Sequence, residues 1–167
     1  MGIAEQKQTY SRWLADYEKL IFKVVCAYAK ESWDQNDLFQ EIALQVWKSI
    51  PRFRGESAET TWVYRISLNT ALSWSKKERN HQRRKQLLES ASSLLKAPQP
   101  PDARLAWLYE QIHQLHPANR SLVLLFLDGY SYSEMADILG ITESNVGVKI
   151  NRIKKQLIIE LKQETNL

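Results

Sequence analysis

"SYSEMADILGITESNVGVKINRIKKQL", residues 131 to 157, carries the signals that decide the fold of the chain's second half. Ser131 followed by Glu134 is a capping-box pair, which opens a helix by satisfying two backbone N–H groups. Gly140 closes that helix, because glycine accepts the left-handed backbone of a helix end. Thr142 then stands as N-cap of a second, longer helix. Met135, Ala136 and Leu139 are expected to meet Ile141, Val146, Ile150 and Ile153, with Ala136 small where the helices approach. A short capped helix, a glycine turn and a longer basic helix form a helix-turn-helix pattern. The outward side of the second helix is expected to present Ser144, Asn145, Val148, Lys149, Asn151, Arg152 and Lys155, with Lys154 beyond. Such side chains reach phosphates and major-groove base edges. An ordinary helix pair with a solvated basic face is the plainer alternative; the caps, small residue, glycine and basic helix together favour DNA. Gly147 lowers helix propensity by ~1 kcal/mol relative to alanine. It either admits a close backbone approach to DNA or is a neutral cost.

Two more helices precede this pair. Leu105, Leu108, Ile112 and Leu115 mark one, and Pro117 near N1 with Gly129 as stop frames the other. The first half reads as three helices. Tyr10 to Tyr28 repeat apolar residues every three or four positions. Leu38, Phe39, Ile42, Ala43, Val46, Trp47 and Ile50 form a second apolar face, with Asp34 or Asn36 as cap and Pro51 as end. A third helix is expected from about Ala58 to Arg79, with Trp62, Val63, Ile66 and Leu72 inward. No run alternates with period two, so the fold class is all-α.

Composition shifts between the halves. "KKERNHQRRK", residues 76 to 85, sets six basic residues against one acid, and Pro98, Pro100 and Pro101 cluster after it. The basic run is either a phosphate-tracking segment or a solvated charge run. Two small helical domains, 1–81 and 102–167, joined by a flexible linker over 82–101, follow from this pattern.

Totals narrow the function. The 167 residues carry a net charge of +4, which permits a polyanionic partner without requiring one. Cys26 is the one cysteine, so no disulfide framework exists, and a reducing, cytoplasmic setting fits. The opening residues lack a signal-peptide core, and no stretch reaches the ~20 apolar residues of a membrane span. His81, His113 and His116 join no recognisable catalytic motif, and there is neither a glycine-rich phosphate loop nor an HExxH. Neither an enzyme nor a bound metal or other cofactor is expected.

"PRFRGESAETTWVYRISLNTALSWSKKERN", residues 51 to 80, interleaves aromatics with Arg52, Arg54, Arg65 and Asn69. That mixture suits a surface that stacks on something flat and charged. The D-L-x-Q-E, F-R-G-E, T-W-x-Y-R-I and N-x-A pieces occur in order between Asp37 and Ala71, followed downstream by G-x-S-x-x-E-M-A-x-x-L-G. In this order they resemble bacterial sigma factors of the extracytoplasmic function (ECF) group. Residues 36–71 are similar to sigma region 2 and residues 115–157 to region 4.

The resemblance implies roles. Asp37, Leu38, Gln40 and Glu41 would bind core RNA polymerase, Asp37 and Glu41 as an acidic pair one turn apart. Arg52, Phe53, Arg54, Gly55, Tyr64, Arg65 and Asn69 would capture the −10 element. Phe53 would wall a pocket for a flipped base and Asn69 would read its edge. The arginines would hold phosphates, and Gly55 would turn the loop. Trp47 and Trp62 are expected to be mostly structural, and Tyr64 partly exposed. Residues Ser144 to Lys155 named above would contact −35 DNA. The resemblance further implies no catalysis of its own, residence in the cytoplasm and on the nucleoid when polymerase-bound, and restraint by an anti-sigma factor. A free-standing helix-turn-helix repressor or activator is the competing expectation; its dimerisation bundle would have no need of "FRGESAETTWVYRISLN", residues 53 to 69.

Overall fold

The computed structural model describes residues 2–86 and 102–165. The chain divides into two compact units, Met1–Ala106 and Trp107–Leu167. Among the described residues every regular element is helical.

The first unit packs three helices against one another: α1 (Ile3–Tyr28), α2 (Ser32–Ser49) and α3 (Glu59–Gln86). Trp13, Ile21, Val24, Val25 and Tyr28 of α1 meet Leu38, Ile42 and Val46 of α2 in a buried core. α1 starts about two turns before its apolar stripe. Gln6 explains the extension: its Nε2 donates to the Trp47 carbonyl at 3.0 Å, and Tyr10 stands edge-on to the Trp47 ring. Trp47 is thus packed, as anticipated. α2 starts at Ser32, before both expected caps. Glu31 takes the N-cap position without a side-chain bond, and Gln35 Nε2 donates back to the Ala29 carbonyl at 3.0 Å. Pro51 lies in a 3₁₀ turn, Ile50–Arg52, that ends α2.

The inward face of α3 departs from expectation. Val63 is buried, but Trp62, Ile66 and Leu72 are only half-buried. Tyr64, Ser67, Leu68, Ala71 and Ser75 fill the interior instead. Ser67 tolerates burial because its hydroxyl donates to the Val63 carbonyl at 2.8 Å. Small polar residues that satisfy themselves this way hide a buried stripe from a reading of apolar residues alone. α3 also runs past Arg79 to Gln86, since Lys, Arg, Glu and Gln all favour helix. The first five residues of the expected linker are therefore helical, and 87–101 lie outside the described residues.

The second unit is built on α4 (Ala103–Gln114), whose first turn begins before the unit boundary, with α5 (Pro117–Leu127), α6 (Tyr132–Leu139) and α7 (Glu143–Thr165). α5 opens at Pro117 as expected. Its N-cap is His116, whose Nδ1 accepts from the Ala118 N–H at 3.3 Å. Leu122, Leu124 and Leu125 of α5 pack with Met135 and Ile138 of α6 and with Val146, Ile150 and Ile153 of α7. Ile138, not Leu139, takes the inward place on α6.

Candidate nucleic-acid interface

Local chemistry sets the α6–α7 pair. Ser131 Oγ accepts from the Glu134 N–H at 3.2 Å, and Glu134 Oε2 accepts from the Ser131 N–H at 2.7 Å. The backbone bond from Ser131 holds the Glu134 carboxyl below its usual range. Gly140 sits at φ +67°, the left-handed region that a Cβ would strain. Its N–H and that of Ile141 both donate to the Ala136 carbonyl, at 2.9 and 3.2 Å. Thr142 Oγ1 accepts from the Asn145 N–H at 3.2 Å and fixes the start of α7.

Ser144, Asn145, Val148, Asn151, Arg152 and Lys155 are exposed, and Lys149 is half-buried. At 100° per residue the seven share an arc of about 160°, opposite the buried Val146, Ile150 and Ile153. Lys154 stands apart, its ammonium 4.3 Å from the centroid of the Phe126 ring. Gly147 faces α6: a Cβ there would lie 3.5 Å from Tyr132 Cε2. The side-chain position of residue 147 therefore points into the helix pair.

In the first unit, α2 and α3 border a groove of ≈ 790 Å³. Asp37 and Glu41 line it from α2, Arg52 from the 3₁₀ turn, and Trp62, Asn69 and Trp74 from α3. Residues assigned by resemblance to two different partners thus share one groove. Lys48 and Arg52 make one end basic, while Asp37, Glu41 and Glu78 make the other acidic. Burial pushes the nearby Asp34 carboxyl up, and the charge of Glu78 adds to the shift. Asn69 is exposed and so is free to offer its amide to the groove. Lys77 and His81 line the groove as well, which puts part of the basic run on it.

Other expected site residues are placed differently. Leu38 is fully buried and holds the core, so it presents nothing to a partner; Gln40 beside it is exposed. Tyr64 is fully buried as well, with the Lys23 ammonium 5.8 Å from its ring centroid. The partly exposed Tyr64 is thereby corrected: α3 turns it inward. Phe53 packs edge-on to Trp13 at 5.3 Å between centroids and tilts against Trp62 at 5.5 Å. Its ring is committed to that cluster, and of the cluster's aromatics it is Trp62 that reaches the groove. Trp62 Nε1 donates to Ser49 Oγ at 3.2 Å. Arg65 is half-buried and, like Tyr64, is absent from the groove lining. Arg54 and Gly55 are exposed, Gly55 at φ +72°.

The loop that carries Arg54 is pinned at both ends. Phe53 is held by the two tryptophans, and Glu59 accepts from Arg12 Nη1 and Nη2 at 2.8 Å each. Arg12 holds the Glu59 carboxyl below its usual range. Two exposed apolar residues on α2, Trp33 and Leu44, lie at helical spacing from Asp37 and Gln40, and the sequence reading missed them. Burial pushes the Cys26 thiol up.

These features match a known pair of domains. The family model described as Sigma-70 region 2 matches residues 13–81, and that described as Sigma-70, region 4 matches residues 105–157. The chain belongs to the sigma-70 family. Its similarity is to the ECF group: it is 25% identical to the ECF RNA polymerase sigma factor SigX of Bacillus subtilis over 92% of this chain and 87% of that one. It is 26% identical to the ECF RNA polymerase sigma-E factor of Escherichia coli K12, over 84% of this chain and 80% of that one. Among solved structures it shares its fold with the sigma factor RpoE of Bartonella quintana, solved with the anti-sigma factor NepR. The TM-score is 0.74 at 18% identity, over 93% of this chain and 98% of that one. CnrH, solved with the cytosolic domain of CnrY, gives a TM-score of 0.67 at 17% identity, over 94% and 90%.

Proposed function

We propose that this chain is a dissociable, non-catalytic specificity subunit that binds core RNA polymerase and directs it to promoters. Asp37, Gln40 and Glu41 meet the polymerase from α2. Ser144, Asn145, Val148, Lys149, Asn151, Arg152 and Lys155 read −35 DNA from α7. Arg52, Arg54 and Asn69 take the unpaired −10 strand, with Trp62 as the flat wall of the groove. Arg65 lies at the margin, and Phe53 and Gly55 shape the loop. Stacking is worth ~1–3 kcal/mol per base, comparable to the cost of unstacking, so strand capture can tip a duplex open without ATP.

The observation that carries this reading is the groove that joins Asp37 and Glu41 to Arg52 and Asn69, together with an exposed α7 face in the second unit. The protein works in the cytoplasm and joins the nucleoid with polymerase. An anti-sigma factor restrains it; the complexes with NepR and CnrY, solved for proteins of the same fold, support this.

The test is run-off transcription with bacterial core polymerase on DNA from the host genome. The parent protein should give new discrete transcripts, and Asp37→Ala/Glu41→Ala should abolish them together with polymerase binding. No transcript and no polymerase binding, beside tight duplex binding by the protein alone, would show a free-standing repressor instead.

A further inference from the structure

We propose that Trp74 is a positioning residue that holds the Asp37 carboxylate in the orientation in which it meets core RNA polymerase. The inference rests on the assignment of the α2 face to polymerase made above.

Trp74 Nε1 donates to Asp37 Oδ2 at 2.8 Å, across 37 residues of sequence and from α3 to α2. An indole has a single N–H, and here it is spent on an exposed carboxylate. A hydrogen bond to an ionised acceptor is stronger and more directional than a neutral one. An aspartate on a helix surface otherwise moves among several rotamers. Trp74 is half-buried, and its ring forms part of the groove wall, so it is a fixed post rather than a second mobile arm. Glu41 is the contrast. Its partner is Gln45 Nε2 at 3.0 Å, one turn along the same helix, so that bond does not tie it to a second element. The Trp74 bond uses one carboxylate oxygen and leaves the group a second with which to receive a cationic side chain.

A side chain already ordered in the free protein need not be ordered on binding, which lowers the entropic cost of association. The size of that saving predicts that losing the indole N–H weakens polymerase binding by about three- to tenfold. The effect must act through Asp37. It must also shrink at high salt, because the contact it prepares is electrostatic.

The experiment measures the Kd of the full chain for core polymerase in a double-mutant cycle: parent, Trp74→Phe, Asp37→Ala and the double variant. Phenylalanine keeps a ring and removes the donor. Trp74→Leu, which also lacks a donor, serves as second variant if Trp74→Phe loses its cooperative unfolding transition. The expected result is weaker binding for Trp74→Phe in the parent background and no further loss in the Asp37→Ala background. The indole N–H resonance of Trp74 in the free protein should also shift in Asp37→Ala. Binding by Trp74→Phe as tight as the parent's overturns the inference, and so does an equal loss in both backgrounds, which would mark a merely structural ring. In either case a weak Asp37→Ala leaves the assignment of the α2 face standing. If Asp37→Ala binds like the parent, that assignment falls and the inference falls with it.

Discussion

Arg12, on the first helix, clasps Glu59, the first residue of the third, through two hydrogen bonds of 2.8 Å, and Tyr17 adds its hydroxyl at 3.4 Å. The clasp fixes where α3 begins and therefore where the exposed loop before it ends. Bidentate pairing of this kind sets geometry as well as charge.

The clasp makes stability depend on pH in a definite direction. Arg12 lowers the folded-state value of Glu59, so the folded protein binds fewer protons than the unfolded one. The contribution is fully present above the unfolded value, ~4.3 for glutamate, and is lost as the pH falls through the depressed folded value. Urea midpoints of the parent and of Glu59→Gln should differ most at neutral pH and converge below about pH 4. A gap that does not change with pH would contradict this account.

Gly147→Ala should stabilise the second unit. Alanine is ~1 kcal/mol better than glycine within a helix, and its methyl would meet Tyr132 Cε2 at an ordinary contact distance of 3.5 Å. The urea midpoint should rise while binding to −35 duplex stays as it was, because position 147 faces α6. Weaker DNA binding by a stabilised variant would place Gly147 at the DNA after all.

Arg152 and Lys154 are two residues apart and carry the same charge, yet only Arg152 lies on the proposed reading face. Arg152→Ala should weaken duplex binding and reduce the slope of log K against log salt by about one. Lys154, held over Phe126, should leave the slope nearly unchanged when replaced by alanine. Equal slopes for the two variants would move the reading face.

Tyr64 and Asn69 were given one role by resemblance, and the structure separates them. Tyr64→Ala should cost ~3–5 kcal/mol of stability, as for other large buried aromatics. Asn69→Ala, at an exposed position, should change stability by less than about 0.5 kcal/mol. Denaturant titration of the two variants checks both figures.

What the sequence made legible was local. Ser131, Glu134, Gly140 and Thr142 announce the helix pair because caps and turns depend on neighbours in the chain. The seven α-helices of the described residues and their order followed from periodicity in the same way. What stayed hidden was set by distant packing. Ser67 and Ser75 look like surface residues until α3 docks, and their burial rotates Tyr64 inward. Phe53 reads as an open stacking wall until Trp13 arrives from 40 residues away. Asp37 and Asn69 seemed to belong to separate surfaces, since nothing in either segment states that α2 and α3 border one groove. Trp74 lay in no motif, and only the pairing of those helices discloses its bond to Asp37.

Promoter opening tests the central claim most directly. Permanganate reactivity of unpaired thymines would be measured on a promoter recovered by run-off transcription, with core polymerase and either the parent protein or Asn69→Ala. The account predicts reactive thymines within the −10 element for the parent, and a complex with Asn69→Ala that still binds polymerase and duplex but leaves those thymines protected. Equal reactivity with both proteins would contradict it, because the strand would then be captured without the groove.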